Sequence, residues 1–160
     1  MPSPKEIGSK FRKKLISLIL APKIPPDDLE ANMQFIAEND EKTRGLIYNR
    51  NWEARFFLFE NQYFPSIHFI REYPKIDFPI VKVDEGAVKH ILNGADIFAQ
   101  GISSVSSDFE ANSIVIVRNP QDAVLAVGKS LKSSDELLKL KGKVISNIHY
   151  LGDSIWENKL

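Results

Sequence analysis

Three histidines, one Gly-Lys-Ser triplet and a complete lack of cysteine set the limits of the chemistry this chain can do. Gly128-Lys129-Ser130 ends like a phosphate-cradling loop, in which backbone N–H groups and a lysine hold a nucleotide. That motif needs a glycine five residues before Gly128, where Ala123 stands, and Val124-Leu125-Ala126-Val127 between them reads as a strand. A nucleotide site is therefore not expected. His68, His90 and His149 lack the spacing that puts two ligands on one helical face, so neither a metal nor any other cofactor is expected. Without cysteine there are no disulfides, thiolate ligands or thiol nucleophiles, which fits a cytoplasmic protein. No serine is framed as a nucleophile elbow, and the expectation is a protein that is not an enzyme. Phe56, Phe57, Phe59, Tyr63 and Phe64 offer faces on which bases can stack, but aromatics at alternating spacing read first as core.

Charge does not announce a polyanion partner. The 160 residues carry 21 Lys and Arg against 21 Asp and Glu, a net charge of zero. Residues 1–76 hold 12 basic and 10 acidic side chains, residues 77–160 hold 9 and 11. Nucleic-acid binding would have to rest on a local patch. No apolar run approaches the ~20 residues of a membrane-spanning helix, and Lys10, Arg12, Lys13 and Lys14 stand where a secretory leader would be apolar. No membrane association is expected.

The elements that must position these residues follow from periodicity. Ile7, Phe11, Leu15 and Leu18 form one stripe of a helix predicted over residues 5–20, its lysines on a solvated face. Pro22, Pro25 and Pro26 break the chain, and Leu29, Met33 and Ile36 predict a second helix over 27–38. Residues 46–48 and 54–59 read as strands joined by a turn at 49–51, the second buried on both faces. Residues 65–71 read as a short helix, and Pro74 and Pro79 bracket a boundary between domains at 1–76 and 77–160. Strands are predicted near 114–117, 124–127 and 144–150, with a helix at 133–138.

Residues 81–101, VKVDEGAVKHILNGADIFAQG, carry the densest local signal. Val81 and Val83 alternate with Lys82 and Asp84 as in a strand, and Asp84 can cap a helix through its carboxylate. Ala87, Val88, Ile91 and Leu92 share one helical face, and Asn93-Gly94 supplies a left-handed exit before an extended return. Gly86 sits in the first turn, where a better helix former would cost less, so its use is close approach by a backbone or a phosphate.

This run resembles the opening of a PUA domain, an RNA-binding module. The match is Val83-Asp84-Glu85-Gly86-Ala87, then Gly94-Ala95-Asp96 and Gly101, with Gln100 where the family usually has Pro and a looser turn expected there. Asn112-Ser113 replaces a Gly-Asp strand entry, a mild change because Asn tolerates a left-handed turn. Ala126-Val127-Gly128-Lys129-Ser130 resembles the late strand, with Gly128 allowing a close approach, and His149-Tyr150-Leu151-Gly152-Asp153 with Trp156 resembles the ending. Together with YFPSIHFIREYPKIDFP upstream, this is similar to the malignant-T-cell-amplified-sequence group and its archaeal relatives, over roughly residues 55–157.

The resemblance implies an α+β chain: a small N-terminal α/β pre-PUA domain, then a PUA-type mixed β pseudo-barrel with short helices. It implies a non-catalytic protein that binds structured RNA, tRNA or the small ribosomal subunit, in translation initiation or ribosome recycling. A protein partner related to density-regulated protein is implied through the N-terminal domain. The expected RNA contacts are Lys82, Gly86, Lys89, His90, Gly101 and Lys129, with Arg71 and Lys75 from the connector. His149 is expected to be structural, and Trp156 to dock the C-terminal tail on the barrel. Two further readings are an accessory subunit that positions an RNA-modifying enzyme, and a protein-interaction adaptor that no longer binds RNA.

Overall fold

Two sheets, each with its own core, organise the computed structural model, which describes residues 3–160. Residues up to Asp77 form one unit together with Ser154–Leu160, and Phe78–Asp153 form the other.

The first unit runs β1 (Lys5–Glu6), α1 (Ser9–Ile16), α2 (Pro26–Glu30), β2 (Phe35–Glu38), β3 (Gly45–Tyr48), β4 (Ala54–Phe59), β5 (Gln62–Pro65) and α3 (Ile67–Glu72). Its five strands pair in sequence order, all antiparallel. Asn49 closes the β3–β4 turn, its Oδ1 accepting from the N–H groups of Asn51 and Glu53. Phe56, Phe57, Tyr63 and Phe64 are buried, so the aromatic run is core and not a stacking platform.

Both N-terminal helices are shorter than periodicity predicts. Lys5–Glu6 pairs with β2, and only Ile7 and Leu15 of the first stripe are buried, while Phe11 and Leu18 are exposed. The helix predicted over 27–38 ends at Glu30, where Asn32 donates its side-chain amide to the Asp28 carbonyl. Phe35, Ile36 and Ala37 instead pair with Tyr48, Ile47 and Leu46. Leu29, Met33 and Ile36 are all buried, as the stripe requires, yet the last of them faces the core from a strand. A ladder with β3 satisfies the same apolar positions and adds long-range pairing, which overrides the local period.

The C-terminal segment completes this unit. Trp156 stacks on His68 with ring centroids 3.9 Å apart and an 8° interplanar angle, and Asn158 Oδ1 accepts from the Ala54 N–H at 2.8 Å. This corrects the expectation that Trp156 docks on the barrel: its stacking partner lies in α3.

The second unit runs β6 (Ile80–Val83), α4 (Glu85–Ile91), β7 (Ile97–Phe98), a 3-10 turn (Ala99–Gly101), β8 (Ile102–Val105), β9 (Ile114–Arg118), β10 (Val124–Ser130), α5 (Ser134–Leu137) and β11 (Lys143–Tyr150). Its six strands lie in the order β7-β11-β10-β9-β6-β8, with β6 parallel to β9 and the rest antiparallel. The two edge strands, β7 and β8, are joined by only the three residues of the 3-10 turn. Strands so close in the chain can sit at opposite edges only if the sheet curls back on itself. That connection makes the sheet a half-barrel.

Val81, Val83, Ile97, Val115, Leu125 and Ile145 fill its interior, and Ala87 and Val88 of α4, with Leu92 just past its end, pack against them. Gly128 lies within β10 opposite β11, where an added Cβ would come within 2.5 Å of Ile145 Cγ2. The Gly-Lys-Ser triplet is thus strand, with its glycine set by packing. His149 is fully buried, and its Nδ1 lies 2.8 Å from Asp153 Oδ2. Strand β8 was not anticipated. Its Ser103 and Ser104 weaken the alternation, and pairing with β6 holds it in place.

Candidate nucleic-acid interface

Helix α4 is placed by its cap. Asp84 Oδ1 accepts from the Ala87 N–H at 3.0 Å, while the Asp84 N–H donates to the Gly101 carbonyl at 2.9 Å. The helix start is thereby tied to the 3-10 turn, and Gly94 makes the exit at φ +89°. Between the helix and β7 lies a groove of about 350 Å³, lined among others by Ala87, His90, Ile91, Ile97, Phe98 and Gly101. Phe98 is 54% exposed and presents its ring on the groove wall.

A distant loop is fastened beside the groove. The Ala99 N–H donates to the Gly142 carbonyl at 2.8 Å, and the Gly142 N–H donates to Gln100 Oε1 at 3.1 Å. Gln100 therefore fastens the turn and does not loosen it, which corrects the expectation attached to its replacing Pro. The same contacts fix the chain at Gly142, with Lys141 before it and Lys143 after it, and set Lys143 beside the groove wall. Lys143 pairs across β7 with Phe98 and sets its Nζ 3.0 Å from Asp96 Oδ2. Neither lysine was singled out in the sequence. The available signal was the run Leu138-Lys139-Leu140-Lys141, whose leucines are both exposed here and so do not define a buried face.

Of the expected contact residues, Gly86, Lys89 and His90 share α4, and His90 and Gly101 line the groove. An added Cβ at Gly86 would meet nothing nearer than Asp84 Oδ1 at 3.5 Å, so internal packing does not require glycine there. At Gly101 it would lie 3.0 Å from Ala87 Cβ, so close helix packing does favour glycine. Lys82, on β6, is ion-paired to Asp122 at 2.8 Å. Lys129 is half-buried in β10 and is not among the groove-lining residues. Arg71 and Lys75 belong to the first unit, where the Arg71 guanidinium lies 5.6 Å from the centre of the Trp156 ring.

Asp96 sits at the groove under two opposed influences. Burial pushes its carboxyl up, but the Asn147 N–H at 2.9 Å and Lys143 together hold it below the ordinary 3.8. A folded pKa below the unfolded one gives stability that is present above the unfolded value and lost as pH falls through the folded one. Urea midpoints measured between pH 6 and pH 2 should fall below about pH 4 in the wild type and fall less in Asp96→Asn. Parallel profiles would show that Asp96 adds nothing to stability. Among the described residues no group of three His, Asp or Glu is placed to hold a metal, and no helix is long and apolar enough to cross a membrane.

A curled half-barrel with a capped helix over one edge and an apolar groove beside it is the architecture of a PUA-type domain, and residues 79–151 match the family model for the PUA domain. Translation machinery-associated protein 20 of Saccharomyces cerevisiae is 33% identical over 119 residues, covering 69% of this chain and 65% of that protein's length. The malignant T-cell-amplified sequence 1 homolog of Dictyostelium discoideum is 33% identical over 162 residues, covering 94% of this chain and 88% of that one. The crystal structure of a hypothetical protein of Pyrococcus horikoshii superposes with a TM-score of 0.76 at 27% identity, over 99% of this chain and 100% of that one. The chain belongs to the PUA domain family, among the homologues of malignant T-cell-amplified sequence 1 and translation machinery-associated protein 20.

Proposed function

We propose that this chain is a non-catalytic, cytoplasmic RNA-binding protein of the translation machinery that recognises structured RNA, tRNA or small-subunit rRNA, in initiation or ribosome recycling. The observation that carries this reading is the groove between α4 and β7, with exposed Phe98 on its wall and Lys143 beside it, ion-paired to the groove residue Asp96. An apolar slot beside cations suits a base next to its backbone, with lysines taking phosphates and the aromatic face taking the ring. The relatives named for the translation machinery support the same setting. Lys82, Gly86, Lys89, His90, Gly101 and Lys129 are the proposed contacts in the second unit, with Arg71 and Lys75 in the first. A protein partner is proposed for the first unit, supported by its exposed edge strand β1 and by Phe11 beside an open hollow.

The test is a salt titration of binding to total tRNA, with sedimentation against purified small ribosomal subunits. Binding to either should weaken linearly in log salt, with a slope of roughly two to four for that many phosphate contacts. Absence of binding to both at low salt would overturn the reading and leave the protein-interaction adaptor, which the zero net charge favours.

A further inference from the structure

Away from the groove, the outer face of the half-barrel holds a second cationic arrangement. Val81, Val83 and Val117 point into the core, so Lys82 and Arg118 point outward from adjacent parallel strands. They are register partners, and Ser104 of β8 is the partner of Lys82 on its other side. Directly opposed residues share a face, so a hydroxyl, an ammonium and a guanidinium form one row. The Arg118 Nε is buried and has no hydrogen-bond partner. Such an orphaned donor is costly, and a water, an ion or a ligand acceptor would relieve it.

One carboxylate covers the row. Asp122 lies 2.8 Å from Lys82, and its carboxyl is held below the ordinary value first by the Lys82 hydrogen bond and charge and then by the field of Arg118. It reaches there from a tight loop. Asn119 Oδ1 accepts from the N–H groups of Gln121 and Ala123, and Asp122 itself takes a left-handed backbone at φ +66°. Aspartate bears that conformation at some cost. At the same time Asp122 is 61% exposed, so its contact with Lys82 exchanges readily with solvent or another anion.

We propose that Lys82 and Arg118 form a phosphate-binding point on the outer face of the half-barrel, and that Asp122 occupies it as an internal competitor which an RNA phosphate displaces. This rests on the RNA-binding reading and assigns one of its contacts a built-in opponent. The arrangement reconciles a neutral chain with a polyanion ligand: part of the cationic surface is masked until the ligand arrives. Masking also discriminates, because an isolated anion must outcompete a tethered carboxylate, whereas an RNA held elsewhere delivers its phosphate at high effective concentration.

The experiment is a double-mutant cycle on tRNA affinity across salt, with Asp122→Asn, Lys82→Ala and the pair. Asp122→Asn should tighten binding roughly three- to tenfold and steepen the salt slope by about one, as a phosphate contact is freed from competition. In the Lys82→Ala background the gain should largely vanish. Asp108→Asn, which removes an exposed charge without an ion pair, should leave affinity nearly unchanged. Equal gains from Asp122→Asn with and without Lys82 would reduce the effect to overall charge and overturn the proposal.

A second arm needs no RNA. Titrating inorganic phosphate while following the Arg118 Nε–H resonance should give a saturable shift in Asp122→Asn and little in the wild type. No shift in either protein would overturn the phosphate point. A phosphate shift in a protein that fails to bind tRNA and ribosomal subunits would keep the point and defeat the RNA reading.

Discussion

Replacing Arg55 by Met is expected to destabilise the first unit by about 3 kcal/mol, a melting-temperature drop of roughly 10–20 °C for a domain of this size. The Arg55 side chain is fully buried, and each arm of its guanidinium is engaged. Its Nη2 donates to Glu72 Oε2 at 2.6 Å, Nη1 reaches Glu53 and Glu72, and Nε donates to Asn32 Oδ1 at 2.9 Å. The guanidinium carbon also lies 5.5 Å from the centre of the Phe69 ring. One side chain therefore clamps strand β4 to helix α3 and to the turn that ends α2. Removing it leaves Asn32 Oδ1 without its donor and frees two carboxylates to find water. Glu72 is 59% exposed and rehydrates easily, which keeps the loss near the lower end of the range for breaking a buried pair. Arg55→Lys should lie between, since an ammonium keeps the charge but not the fork. Urea and thermal unfolding of the three proteins decide it. A Met variant within 1 kcal/mol of the wild type would mean the clamp is dispensable, as some buried ion pairs are.

The largest expected effect on binding comes from the lysines of α4 and of the segment around Gly142. Replacing Lys89, Lys141 and Lys143 together by Ala should weaken tRNA binding by about one to two orders of magnitude at moderate salt and lower the salt slope by about two to three. Loss of phosphate contacts should act across RNA sequences alike, because these lysines position the backbone and do not read bases. Phe98→Ala provides the contrast. Losing a stacking face should cost affinity at all salt concentrations while leaving the slope intact. If the triple variant binds with unaltered slope, the groove is not where the phosphates lie, and the remaining proposed contacts, Lys82 and Lys129 among them, become the place to look. Circular dichroism of each variant checks folding, with attention to Lys143, whose loss leaves Asp96 held by the Asn147 N–H alone.

The legible part of the candidate site was α4 and its flanks. Gly86, Lys89 and His90 lie on one helix, and Gly101 meets that helix across a close contact with Ala87. What escaped was everything supplied by a distant segment. Lys143 comes beside the groove only because Gly142 bonds to Ala99 and Gln100, more than 40 positions earlier in the chain. Lys82 looked like a free cation, and its pairing with Asp122 depends on how the Asn119 turn folds back over β6. Arg55 carries no signal of its own in the sequence, because nothing in its neighbours tells that Glu72 and Asn32 converge on it.

Elements whose signals are local can be read from the residues without any tertiary contact. Asp84 caps α4 through a contact three residues away, Gly94 takes the left-handed exit, and Val81 and Val83 alternate into the core. Each depends on side-chain size and hydrogen bonding within a turn or two, so the order of residues alone sets it. Long-range pairing fixed the rest. Leu29, Met33 and Ile36 satisfy a helical stripe, yet a ladder to β3 made the last of them strand. The half-barrel closes because β7 and β8, three residues apart, pair with β11 and β6. Such contacts gain their energy from partners far along the chain, and local periodicity carries no record of which partner will arrive.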